Sequence, residues 1–455
     1  MTTDMCTWEA GIARLDITPP LWLTMAGFAG RDNYHVAGDV HDPLYVTALV
    51  LGTGAERVAI VSCDLLALEA EDTCRMREEI GAKTGISPQN VLIHTVHVHS
   101  GPLTSNLRTA GKRDTAYEAV LMRKIVSAVV LAEQRRRPVR LTLGWSSAPL
   151  GINRRERVGE RIVLGDNPEG PVDHRIAALG IWPLETEERV KPLAVFYWVA
   201  VHPVMFGPTC LSYGRDYLGF ATDRLEQAYP GMIGAALVGP CGNVNPRNFS
   251  SKTCGFAPAA RMGEMLAGAV LAALAGAREI PAAAGLKAAT HKVAVPLQPL
   301  RRADICKTQQ SRVEYIRSHA KSAEEAQQQL VKDLLLMWAD EALAALDGKI
   351  AGQPAESLTA ELQIIVVGDL AIIGMPFEVF VEYQKDAEAC SPLTDTLVVG
   401  CANGDFGYIP TKEAIAEGGY EVASAYINYG KLQPYSVEAP AVVRRGLQQL
   451  CRSVM

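Results

Sequence analysis

The sequence predicts an α/β protein built from layered mixed β-sheets flanked by helices, and three observations carry that expectation. Strand-like and helix-like runs alternate along most of the 455 residues, the pattern of a layered α/β architecture. Residues 193–202 form an almost unbroken apolar run, suited to a strand covered on both faces. Apolar residues make up 48% of the chain and charged residues 21%, enough apolar material for a large core.

The elements follow in order. Residues 45–52 and 57–63 are rich in Val, Ile, Leu and Ala and are separated by Thr53-Gly54-Ala55, so they read as strands joined by a turn. Residues 69–84 read as a helix, 91–99 as a strand, 116–135 as a long helix and 139–145 as a strand. A second series begins with strands at 176–183 and 193–202, a helix at 215–228, and a buried strand at 235–239 ending in Gly239-Pro240-Cys241-Gly242. The Ala/Gly-rich stretch 256–280 carries Arg261, Glu264 and Arg278, which predicts a packed helix in place of a membrane span. Residues 303–348 are rich in Gln, Lys, Glu and Ala with few β-branched residues. They predict a helical insertion, most simply a solvent-facing helical layer, otherwise one that covers one face, acts as a lid or makes a subunit contact. Strands resume at 358–367 and 370–375, and Glu378 opens a helical run over 378–389. With no internal repeat or long linker, the length allows two or three domains or one elaborate α/β catalytic domain.

A net charge of −6, with Lys and Arg clustered no further than runs such as Arg135-Arg136-Arg137, argues against a nucleic-acid partner. Ten cysteines without a C-x-x-C pair fit reduced thiols. The first residues carry neither a basic nor an apolar signal segment, so the expected location is the cytoplasm, without membrane insertion. A homo-oligomer is compatible with this composition.

The chemistry-bearing stretch is His97-Val98-His99-Ser100-Gly101-Pro102. In an extended segment, side chains two residues apart share a face, and neutral imidazole is the commonest protein ligand for zinc. The pair alone fits a strand with incidental histidines equally well. Two further candidates lie where apolar runs end: His202 closes 193–202, and Glu378 follows 370–375. Ligands in open α/β sheets gather at strand ends. Two imidazoles and a carboxylate with an open position make a catalytic zinc site, and the same set also suits iron or manganese.

Ordered motifs extend this pattern: Gly11-Ile12-Ala13-Arg14-Leu15-Asp16-Ile17-Thr18-Pro19, Met25-Ala26-Gly27-Phe28, Gly38-Asp39-Val40-His41, Val61-Ser62-Cys63-Asp64-Leu65, residues 90–102, Ile152-Asn153-Arg154, Val201-His202-Pro203, Ser212 with Asp216 and Gly219, Met375-Pro376-Phe377-Glu378 and Tyr420-Glu421-Val422-Ala423-Ser424. In these the chain resembles the catalytic domain of the neutral/alkaline (non-lysosomal) ceramidase family over nearly its whole length, as a divergent, bacterial-type member. The resemblance implies a ceramidase-like fold in a single catalytic domain over 1–455, and a zinc ion held by His97, His202, Glu378 and Tyr420. It also implies His99 beside the metal as an acid/base or oxyanion-stabilising group, and Arg154 orienting the substrate. Where the family carries an Asp and a Ser in a G-D-x-S-P pattern, this chain has Asn243 and Asn245. Asparagine is no nucleophile, but its amide can donate a hydrogen bond to an oxyanion or a polar substrate group.

The leading reading is therefore a zinc-dependent hydrolase that cleaves a C–N bond of a small soluble acyl compound with metal-activated water. Hydrolysis of a lactone or ester suits the same zinc. The third reading is a ceramidase-like protein that binds a ligand without turnover; Asn245 favours it, and the intact His97, His99, His202, Glu378 and Tyr420 count against it.

Overall fold

Two sheets lie face to face at the centre of the molecule, with helices on both outer faces. The computed structural model describes residues 7–28, 31, 36–108, 111–184, 191–250, 252–350 and 354–455. The larger sheet runs in the order Ile233–Val238, Ala194–Val199, Arg175–Pro183, Arg137–Ser147, Trp8–Asp16, Tyr45–Thr53, Glu56–Cys63, Val91–Thr95. Its edge pairs are parallel and its interior pairs antiparallel. The second sheet runs Leu286–Pro296, Ser357–Val367, Leu370–Gly374, Asp395–Val399, the last pair again parallel. This is the mixed-sheet α/β architecture the alternation predicts.

The core between the sheets holds Leu49, Ile60, Leu92, Leu141, Phe196 and Trp198 from the first sheet, and Ile365, Leu370, Ile372 and Leu397 from the second. Strands covered on both faces need apolar residues at consecutive positions, and all six residues of Ala194–Val199 are buried. Outside the larger sheet lie Asp216–Ala228 and Phe256–Ala275 on one part and Ala70–Thr84 and Thr115–Gln134 on another. Outside the smaller sheet lie Glu382–Cys390 and Ala439–Arg452. The helix Phe256–Ala275 is long and apolar enough to cross a membrane. Here it seats directly on the sheet, because a Cβ on Gly144 would come 1.8 Å from the carbonyl oxygen of Ala273. The run expected to be one helix over 256–280 divides, and Arg278–Ile280 pairs as a strand with residues 141–143.

The larger sheet curls until its edges meet. Ser62 Oγ donates to the Ala236 carbonyl (2.7 Å), and the Val238 N–H donates to His94 Nε2 (3.0 Å). His94 Nδ1–H in turn donates to the Gly400 carbonyl in the smaller sheet's last turn (2.7 Å). This fully buried imidazole spends both nitrogens on backbone groups, and burial pushes it down to about 3, so it stays neutral. The C-terminal ends of Val91–Thr95, Ala194–Val199, Ile233–Val238, Leu370–Gly374 and Asp395–Val399 are thereby tied together: Thr95 N–H donates to Cys401 O, Gly239 N–H to Val199 O, Gly400 N–H to Val238 O and Met375 N–H to Val399 O.

Residues 303–348 are helical as expected, as Arg302–His319, Ala323–Lys332 and Leu334–Leu346. Ile305, Trp338, Ala339 and Ala342 share a small core with Ile427, so the block packs on the segment just beyond residue 420. The described cysteines are unpaired, with Cys390 and Cys451 sulfurs 3.0 Å apart.

Candidate metal centre and its cavity

Loops leaving the gathered strand ends bring His97, His99, His202 and Glu378 into one buried cluster. The strand expected over 91–99 stops at Thr95. His97 adopts a left-handed backbone, φ 63°, costly for a residue with a Cβ. The two histidines therefore share a site through a sharp turn, and strand alternation plays no part. Their rings lie 4.9 Å apart, and His202 is 5.0 Å from His97 and 5.6 Å from His99. Glu378 does not open a helix. It sits in the short strand Glu378–Val379, paired in parallel with Tyr408–Ile409, and the helix begins at Glu382. The reason is local: the Glu378 N–H is taken by the Gly407 carbonyl and Gly242 N–H holds the Val379 carbonyl, so these residues stay extended.

The tautomers are fixed by geometry. His97 Nδ1 lies 3.0 Å from the Leu66 carbonyl and His202 Nδ1 lies 2.7 Å from the Cys241 carbonyl. A carbonyl only accepts, so each Nδ1 carries the proton and each neutral ring turns an Nε2 lone pair inward. Both Nε2 atoms face one carboxylate oxygen, Glu378 Oε2, at 3.1 and 2.9 Å. Three acceptors converge with no donor among them, and all three are buried without a conventional hydrogen bond. Such a pocket asks for a positive charge. Burial lowers His97, but the Glu378 carboxylate more than offsets this and raises it, drawing a proton onto the ring. Burial acts to raise Glu378, yet the imidazoles beside it hold it well below the usual carboxylate range. A divalent cation would satisfy the same field with both rings neutral. Ligand atoms ~2.0–2.1 Å from a tetrahedral ion stand about 3.3 Å apart, close to the spacing found, so the donor set fits a metal.

His99 differs from its neighbours, since neither of its nitrogens has a hydrogen-bond partner among the described residues. Burial, and then His97 and His202, hold it well below the ordinary imidazole value. One of its nitrogens lies within 4.8 Å of a nitrogen of His97 and of His202, and its ring packs on Phe28 at 4.8 Å.

A cavity of about 290 Å³ opens over the cluster, lined by His99, Arg154, Asn245, Tyr408, Tyr420, Asn428 and Tyr429 and by apolar Phe28, Leu66, Leu107, Leu164 and Phe249. Arg154, 5% exposed, donates from Nε to Glu421 (2.9 Å) and from Nη1 to Asn245 Oδ1 (3.3 Å). Its guanidinium stands 5.1 Å from the Tyr408 ring centre, and Nη2 has no partner. Burial and then Arg154 lower His202 to about 4; the Tyr408 ring under Arg154 stacks in turn on His202, while His99 packs on Phe28. Asn243 faces away from substrate, accepting from Val381 N–H and donating to Glu382 (both 2.9 Å).

Tyr420 lines the cavity, and its hydroxyl accepts from Asn428 Nδ2 at 3.2 Å. Two tyrosines that sequence reasoning missed also stand by Glu378. Tyr408 is its register partner and stacks on His202 at 6.4 Å, and the Tyr429 hydroxyl donates to Glu378 Oε1. Glu421, which joins Arg154 to Arg155, and Asp405, 3.8 Å behind His97 Nδ1, were likewise unmarked. No local period announces any of them; each is placed by pairing between distant segments.

Gathered strand ends, a curled mixed sheet and a second sheet packed against it define the neutral ceramidase fold. Among solved structures, neutral ceramidase from Pseudomonas aeruginosa superposes with a TM-score of 0.73 at 17% identity, over 99% of this chain and 75% of that one. A ceramidase complexed with C2 superposes with a TM-score of 0.74 at 18% identity and the same coverage. No protein-family model and no curated protein sequence matches the chain.

Proposed function

We propose that this protein is a zinc-dependent hydrolase that cleaves the amide bond of a small acyl compound. The observation that carries the reading is the convergence of two tautomer-fixed Nε2 lone pairs on one buried carboxylate oxygen, and the ceramidase fold around it supports the reaction class. His97, His202 and Glu378 would hold the ion. The resemblance supplies Tyr420, which lines the cavity over the cluster, as the fourth ligand, and Tyr408, the register partner of Glu378, is the competing tyrosine. When bound, the ion supplies Lewis acidity, polarising a carbonyl and bringing the pKa of water to about 7.

The chain's own residues supply the rest. His99, neutral and with both nitrogens unengaged, accepts a proton from the attacking water and returns it to the departing amine. Arg154 and Asn245 hold the polar end of the substrate, and Phe28 and Phe249 its apolar end. Asn245 leaves no hydroxyl nucleophile at that position, so water attacks directly.

Elemental analysis of wild type and His202→Ala tests this. About one zinc per chain in the wild type, lost in the variant, supports the site; a wild type that neither holds nor takes up zinc overturns it.

A further inference from the structure

Arg154 brings a guanidinium to the cavity. Its Nε donates to Glu421 (2.9 Å), a carboxylate shared with Arg155 (2.8 Å). Arg154 lines the cavity with no Asp, Glu or Lys beside it among the described residues. Its Nη2 is buried and makes no hydrogen bond, a costly state for a charged donor unless a ligand completes it.

Part of the lining is apolar. Phe28 and Phe249 lie parallel with centroids 6.5 Å apart, and Leu66 and Leu107 continue that surface. At about 290 Å³ the cavity stands at the lower end of the range for small-molecule sites, which favours a short acyl chain.

We infer that the substrate is an amide with a carboxylate at one end, of the N-acyl amino acid class, its carboxylate held by Arg154 Nη2 and its acyl chain laid on Phe28 and Phe249. This deepens the amide-hydrolase reading and rests on it. An arginine fork matches a carboxylate in geometry as well as charge, and a site built for such a group rejects analogues that lack it.

The test compares N-hexanoylglycine with N-hexanoylethanolamine, nearly equal in length and differing in charge. Calorimetric binding to chelator-treated protein reads the Arg154 subsite without turnover. The glycine conjugate is expected to bind at least ~30-fold more tightly, with the preference lost in Arg154→Met and partly restored in Arg154→Lys. Equal binding of the two by wild type, no binding of either, or a preference that survives in Arg154→Met overturns the inference. Hydrolysis by zinc-loaded enzyme is read separately. Binding preference without cleavage of either amide overturns the hydrolase reading alone, and cleavage of both at equal kcat/KM overturns the carboxylate inference alone.

Discussion

His99 and His97 are separated by one residue and do different work, and the difference lies in their hydrogen bonds. His97 has its Nδ1 proton anchored on the Leu66 carbonyl, whereas His99 has both nitrogens free. His99→Ala is therefore expected to keep its zinc and lose about 10²–10⁴-fold in kcat; unchanged turnover would remove the proton-transfer role. The tyrosines separate in the same way. Tyr420→Phe is expected to weaken zinc affinity by about tenfold or more, with Tyr408→Phe near wild type, as read by competition with a chromogenic chelator. The reverse order would move the fourth place to Tyr408. His97, His202 and Glu378 were legible in the sequence because each follows an apolar run that stops abruptly. Tyr408 was not, because its nearness to Glu378 comes from a two-residue parallel ladder, too short to leave a periodic trace.

At the scale of elements, the strands were legible and their exits were not. The expected strand over 91–99 and helix over 378–389 overran because composition does not register a left-handed residue such as His97 or a ladder closed by a distant carbonyl. The loop after His202 shows what holds such an exit. Asp216 opens its helix at φ 55° and accepts from Phe206 N–H (2.8 Å) and Tyr217 N–H (2.7 Å). Burial outweighs these bonds and raises its carboxyl from 3.8 to about 6. The folded value thus lies above the unfolded one. The group's contribution to stability is fully present below about pH 4 and is lost as pH rises towards 6, roughly 3 kcal/mol in all. Asp216→Asn has no such titration. The unfolding free energy of the variant relative to wild type should rise by about that amount between pH 4 and 7. A difference that stays flat would show that the carboxyl remains ionised when buried. Gly242 guards another exit: a Cβ there would meet the Glu378 carbonyl oxygen at 2.7 Å. Gly242→Ala is expected to displace Glu378 and lower zinc occupancy, whereas retained occupancy would show that the two turns shift together.

Across the whole molecule, the ion cluster and the cavity wall have different foundations. The cluster stands on strand ends locked by backbone bonds and by His94, which joins both edges of the larger sheet to the smaller one. The wall formed by Asn428 and Tyr429 stands on the helical block, whose Trp338 donates to the Leu432 carbonyl (3.0 Å) and packs edge-on against Tyr426. Arg108 ties the same segment to Glu341 (2.5 Å) and to the Ile427 carbonyl. The sequence showed that this block is helical, from its composition, but could not show what it covers, because its docking face draws on two helices and meets a segment far along the chain. Trp338→Ala removes a side chain 6% exposed, a change that costs about 3–5 kcal/mol. The loss should fall on the block and the segment it supports. Zinc content is expected to match wild type while KM rises and kcat changes little, since the wall binds substrate and reaches the cluster only through the Tyr429 hydroxyl on Glu378. Zinc lost in step with stability would show that the block supports the cluster as well. An unchanged KM in a measurably destabilised variant would separate the block from the cavity altogether.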